Sequence, residues 1–310
     1  MCGPTLTTRY RIVVAVLVTA SLVLLSRLQQ RECACETRLL RAPPLTRVLE
    51  TLDEALARAE HTVKSFDKCL DFFLDFGSNI GVQVRKLFEP DLYVNATIVP
   101  EFDRLFGSVE RRRKRVCAIG FEGNPAHTAR LNELNSCYNR VGWRVHFFTE
   151  TIIGVADRLV PFFSDHAKYR EDWGSSVFDW THGNRKSIAR EVDIVRFLAD
   201  VQRIVAPAVA NGDGMVVVKM DIEGSEFHVL PPLLEASLLC RSFINTVLIE
   251  WHERFLPPTT RAIGQFMKHR FSEALRLQAC IANETTVVVP YDDETFLHDR
   301  KPLPLLCDET

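Results

Sequence analysis

A three-layer α/β fold around a mostly parallel sheet is what this sequence predicts, and three observations carry the prediction. From residue 70 onward, short apolar segments of strand length alternate with segments of helical periodicity. One segment, MVVVKM (215–220), reads as a fully apolar strand of the kind buried on both faces of a parallel sheet. Glycine-containing or acidic turns follow several strands directly, and in open α/β sheets ligands bind at the carboxyl ends of the strands.

The elements follow in order. Residues 72–76 (FFLDF) form a first strand that ends at Gly77, and residues 80–88 form a helix. Residues 115–121 (RVCAIGF) form a second strand. Residues 125–137 form a helix opening after Asn124, with Pro125 in its first turn. Residues 143–148 form a third strand, and residues 186–205 are helical by periodicity. After the 215–220 strand come a helix over 226–239 interrupted by Pro231-Pro232, a strand over 243–251 and a helix over 261–277. Residues 279–281 and 286–290 are expected to close the sheet as a hairpin.

The N-terminal part is different in kind. Residues 12–26 (IVVAVLVTASLVLLS) carry no charge, with Arg9 and Arg11 before them and Arg27 and Arg31 after. They predict an uncleaved signal anchor over 12–28, a short transmembrane helix following a tail at 1–11, with a cleaved signal peptide as the rival reading. Residues 29–66 then form a stem in which Leu45, Val48, Leu49, Leu52, Leu56, Ala59 and Val63 recur at helical spacing. The folded domain is expected over 67–310. Arginines on both sides leave orientation undecided by charge. Two glycosylation triplets, Asn95-Ala96-Thr97 and Asn283-Glu284-Thr285, and nine cysteines favour a luminal domain in the endoplasmic reticulum or Golgi. The cysteine spacing shows no metal signature, no metal is expected, and Cys117 and Cys137 are expected as free thiols in the core. A net charge of −2 gives nucleic-acid binding no support.

Four strand ends concentrate chemistry. DFGSNIG (75–81) lets the backbone turn tightly at Gly77 and Gly81 ahead of a helix N-terminus, which suits a carboxylate or a phosphate. Asp75 can pair with a ligand's ammonium group. Glu122, after the second strand, is placed to accept both hydroxyl hydrogens of a ribose. After the apolar strand, Asp221 and Glu223 are expected to face the cleft, with Glu226 in the first turn of a helix. His252 ends the next strand and has the pKa range of a general base.

DFGSNIG (75–81), FEGNP (121–125), VKMDIEGSEFHVL (218–230) and IEWHERF (249–255) together resemble the FkbM family of S-adenosylmethionine-dependent methyltransferases. The resemblance spans roughly residues 70–255. It implies the class I methyltransferase fold, a Rossmann-like, mostly parallel seven-stranded sheet with one reversed strand and helices on both faces. It implies S-adenosylmethionine as cofactor, held by the loop of Asp75, Gly77, Asn79 and Gly81 and by Glu122. Asp221 and Glu223 line the active site, and His252 or Glu223 removes a proton from the acceptor, a hydroxyl of a glycan or other small molecule. Two other functions are compatible with such a sheet: a luminal glycosyltransferase using a nucleotide sugar, and a non-catalytic binding protein. The first calls for an Asp-x-Asp metal motif, which Asp221-Ile222-Glu223 only approximates; the second calls for loss of the loop glycines, which are present. The basic run 111–115 (RRRKR) is expected as a solvated loop. Residues 173–180 (WGSSVFDW) are expected as a loop able to roof a cleft or stack on a sugar ring.

Overall fold

The computed structural model describes residue 66 and residues 68–164, 174–179, 185–280, 284–291, 302, 303 and 307. In chain order the elements are β1 (Asp71–Phe76), α1 (Val82–Phe88), α2 (Ile98–Phe106), α3 (Val109–Arg115), β2 (Val116–Glu122), α4 (Thr128–Arg140), β3 (Arg144–Thr149), β4 (Thr151–Gly154), β5 (Arg158–Ser164), β6 (Arg185–Asp193), α5 (Ile194–Ala210), β7 (Met215–Met220), α6 (Glu226–Glu235), β8 (Thr246–Ile249), α7 (Pro258–Leu275) and β9 (Val287–Pro290).

The main sheet runs β3-β2-β1-β7-β8-β9, with every neighbouring pair parallel. The chain builds outward from β1 to β3, then returns to lay β7 on the other side of β1. That reversal opens a crevice at the carboxyl ends of β1 and β7. The alternation of the strands explains their apolar runs. Phe72, Leu74 and Phe76 face one layer with Phe197, Val201 and Leu230, while Phe73 faces the other with Phe102, Leu131 and Tyr138. With helices on both faces, neither set reaches water.

Several expectations are corrected. The sheet has six strands among the described residues, with no reversed one. Among the described residues, 286–290 do not pair as a hairpin: after α7, β9 enters parallel to β8. The stretch expected as one helix over 186–205 divides. Its first part is β6, paired parallel to β4 and antiparallel to β5 in a second, three-stranded sheet. Asp193 caps the helix proper by accepting from the Arg196 amide at 2.9 Å, and the buried helical stripe begins only at Ile194.

The basic run is not a loop. It forms α3, capped by Ser108. Arg112 is buried and pairs with Asp103 at 2.7 Å, Arg113 lies over the Trp143 ring, and Arg115 pairs with Asp71 and Asp213. Helical spacing sends these side chains to different partners instead of leaving one solvated charge cluster. Cys117 and Cys137 are not free thiols: disulfides join Cys69–Cys117, Cys137–Cys307 and Cys240–Cys280. Asn95 is exposed in the turn before α2.

Among the described residues no helix is long and apolar enough to cross a membrane. The expected anchor at 12–28 and the stem up to residue 65 lie outside the described residues, as do Asn283, Trp173 and Trp180.

Candidate active site

The carboxyl ends of β1, β2, β7 and β8 bring the predicted residues together. Past β1 the chain turns at Gly77, whose φ is +82°. A Cβ built there stands 1.8 Å from the carbonyl oxygen of Asp221, so a side chain is excluded by both conformation and space. This contact also seats the first loop directly against the third. Asn79 (φ 50°) and Gly81 (φ 83°) complete the turn into α1.

Asp75 is fully buried, and among the described residues its carboxylate oxygens accept no hydrogen bond of good geometry, although Ser78 and Lys219 stand close enough to favour its charged form. Ser78 Oγ, which lies close by, donates instead to the Asp75 backbone carbonyl at 3.0 Å. Burial raises the Asp75 pKa, and Lys219, with Nζ 3.5 Å from Oδ1, opposes that rise. Glu122 is held differently. Its Oε2 accepts from the Asn79 amide and its Oε1 from the Asn124 amide, each at 2.7 Å. Burial pushes its pKa up to about 7, against these two amides. Glu122 thus ties the cofactor-type loop to the end of β2 while each oxygen keeps a further lone pair.

Lys219 and Glu226 are central residues whose importance the sequence understated. The strand MVVVKM is not fully apolar: Lys219 is buried and donates to the Gly77 carbonyl at 2.7 Å, with Asp221 Oδ2 3.0 Å away. Burial works against its charge, but Asp221 and Asp75 outweigh it and its pKa rises. A lysine inside an otherwise apolar strand was the available signal, since a buried ammonium needs nearby carboxylates. Glu226 is more than a first-turn carboxylate. It is fully buried, accepts from the amides of Ile222 and Gly224 at 3.0 Å each, and meets His252 Nδ1 at 3.1 Å.

His252 is 1 % exposed and surrounded by acidic groups. Its Nε2 lies 3.0 Å from Glu250, 3.6 Å from Glu223 and 3.8 Å from Asp221. Burial alone would lower its pKa, yet the hydrogen bonds to Glu226 and Glu250 push it up to about 12. With both ring nitrogens facing carboxylates, His252 is not the open general base the sequence led us to expect. Glu223 is raised well above the usual carboxylate range, by burial first, with the neighbouring carboxylates adding to it and His252 opposing. Asp221 is lowered, because Lys219, followed by His252, outweighs burial. One atom from each of Asp221, Glu223 and His252 lies within 4.8 Å of the others, an arrangement able to ligate a cation.

The second sheet is tied over this crevice. Asn124 donates to Ser175 Oγ at 3.1 Å and accepts from Ser164 Oγ at 3.2 Å. Ser176 bridges to Phe163 of β5, and its Oγ donates to the Glu223 carbonyl at 2.8 Å, on the residue with φ 54°. Residues 174–179 therefore touch both the Glu122 side and the Glu223 side.

A family model described as the Methyltransferase FkbM domain matches residues 75–273, from the buried carboxylate of β1 into α7. No curated protein and no solved structure matches the chain.

Proposed function

The chain belongs to the FkbM methyltransferase family, and on that premise we propose that it transfers a methyl group from S-adenosylmethionine to a hydroxyl oxygen of a glycan or other hydroxylated acceptor. The observation that carries the reading is the pair of buried carboxylates at adjacent strand ends. Asp75 holds two oxygens without hydrogen-bond donors, and Glu122 is oriented by two amides. A buried carboxylate left without donors is costly, and a ligand ammonium removes that cost. Glu122 is suited to a ribose diol, and the close seating of Gly77 against Asp221 supports a cradle for a ligand carboxylate at the turn into α1.

When bound, S-adenosylmethionine supplies an electrophilic methyl group, whose carbon–sulfur bond breaks as the carbon–oxygen bond forms, leaving a neutral thioether. The protein's part is positioning and proton removal. Gly77 and Lys219 connect the cofactor loop to the Asp221 loop, so the two reactants are held by one rigid assembly. Glu223 is the carboxylate placed to receive the proton that the acceptor hydroxyl gives up.

We also propose that the domain works in the lumen of the secretory pathway, held there by the anchor at 12–28. Three disulfides and the exposed Asn95 support the secretory lumen.

Calorimetric titration of the full-length protein with S-adenosylmethionine tests the function. Micromolar binding is expected, weakened about tenfold or more in folded Asp75→Ala and Glu122→Ala variants. Absence of binding by folded wild-type protein would remove the methyltransferase reading.

A further inference from the structure

The acidic pocket around His252 has a use beyond proton removal. We propose that Asp221, Glu223 and His252, with Glu250 beside them, bind one hard divalent cation of the Mg2+/Mn2+ class. Granted the methyltransferase function, the cation draws the acceptor's hydroxyl oxygen into line with the methyl donor.

The spacing fits. Two donors each about 2.1 Å from an octahedral cation stand about 3.0 Å apart when adjacent and about 4.2 Å apart when opposite. His252 Nε2 lies 3.6 Å from Glu223 Oε2 and 3.8 Å from Asp221 Oδ1, between those limits, and 3.0 Å from Glu250 Oε1. The donor set of carboxylate oxygens and one imidazole suits Mn2+ or Mg2+ better than a thiophilic metal.

Two further observations point to a ligand. Glu223 Oε2 is buried and receives no hydrogen bond among the described residues, although it is aimed at His252 Nε2. On its other side the His252 ring is engaged by Glu226, itself fixed by the amides of Ile222 and Gly224. A carboxylate on the far nitrogen is the arrangement that orients a metal-bound histidine and selects the ligating tautomer.

The test is titration of chelator-treated full-length protein with Mn2+, followed by the electron paramagnetic resonance of the free ion. S-adenosylmethionine affinity is measured by calorimetry on the same samples. We expect one Mn2+ per chain, bound at least tenfold more weakly in both Asp221→Asn and Glu223→Gln, with the exposed control Glu133→Gln unchanged. Retained S-adenosylmethionine binding by the near-isosteric variants shows that they fold. Wild-type protein that binds S-adenosylmethionine but no Mn2+ would overturn the cation site and leave the methyltransferase reading intact. Mn2+ binding indifferent to both substitutions would overturn the assignment of ligands. Mn2+ binding without S-adenosylmethionine binding would support the cation site and remove the methyltransferase reading.

Discussion

Asp71 and Asp75 stand at opposite ends of one strand, four residues apart and pointing to the same side, and both are buried. Asp71 Oδ2 accepts from Arg115 Nε at 3.1 Å, and Arg115 also reaches Asp213. Among the described residues Asp75 accepts no hydrogen bond of good geometry and has Lys219 at 3.5 Å. Burial raises both carboxyl pKa values, with Arg115 opposing at one end and Lys219 at the other. The difference is one of purpose. At the amino end of the sheet the charge is matched within the protein, so Asp71 contributes to the fold. At the carboxyl end the matching is left incomplete, which costs stability and leaves an acceptor in place for a ligand.

Substitutions can break this contrast, and the largest effect is expected at Gly77. Gly77→Ala places a Cβ against the Asp221 carbonyl at a left-handed φ. A stability loss on the order of 3 kcal/mol is expected, with no measurable S-adenosylmethionine binding, read by thermal unfolding and calorimetry. Asp75→Ala is expected to lower cofactor affinity about 10- to 150-fold, the equivalent of one charge-assisted hydrogen bond. Its unfolding midpoint should stay level or rise, because the substitution removes an unsatisfied buried group. A falling midpoint with unchanged affinity would make Asp75 structural and erase the contrast. Asp71→Ala should behave in the opposite way, losing about 1–3 kcal/mol of stability while cofactor affinity stays the same.

The smallest effect sharpens the comparison by pH. Ribose hydroxyls donate to an ionised carboxylate, and Glu122 titrates at about 7 in the free protein. Lowering the pH through 7 protonates it, so S-adenosylmethionine affinity should be full above that pH and fall below it. About a tenfold loss is expected between pH 8 and pH 6. Glu122→Gln should bind more weakly at pH 8 and show a flat profile over that range.

Much of the site was legible because it is written in consecutive residues. Asp75, Gly77, Asn79 and Gly81 share one turn; Asp221, Glu223 and Glu226 share another; Glu122 and His252 each follow a strand whose apolar character is plain. Other features were hidden for physical reasons. The second sheet was missed because β6 joins α5 without a break, and the strong helical stripe of Ile194, Phe197, Leu198 and Val201 was extended backward over it. The arginines of α3 read as solvated because their partners lie on other elements: Asp103 on the preceding helix, and Asp71 and Asp213 far along the chain. His252 read as a base because an isolated imidazole titrates near neutrality, whereas here Glu226 and Glu250 surround it.

By itself the sequence determined the alternating elements, the parallel core and the residues at the strand ends, since hydrophobic period and turn chemistry act over a few neighbouring residues. Only the tertiary structure decided which charges meet, which cysteines join and which carboxylates stay without donors. Those outcomes depend on contacts such as Lys219 with Gly77 or Glu122 with Asn79, made between segments that only the sheet order brings together.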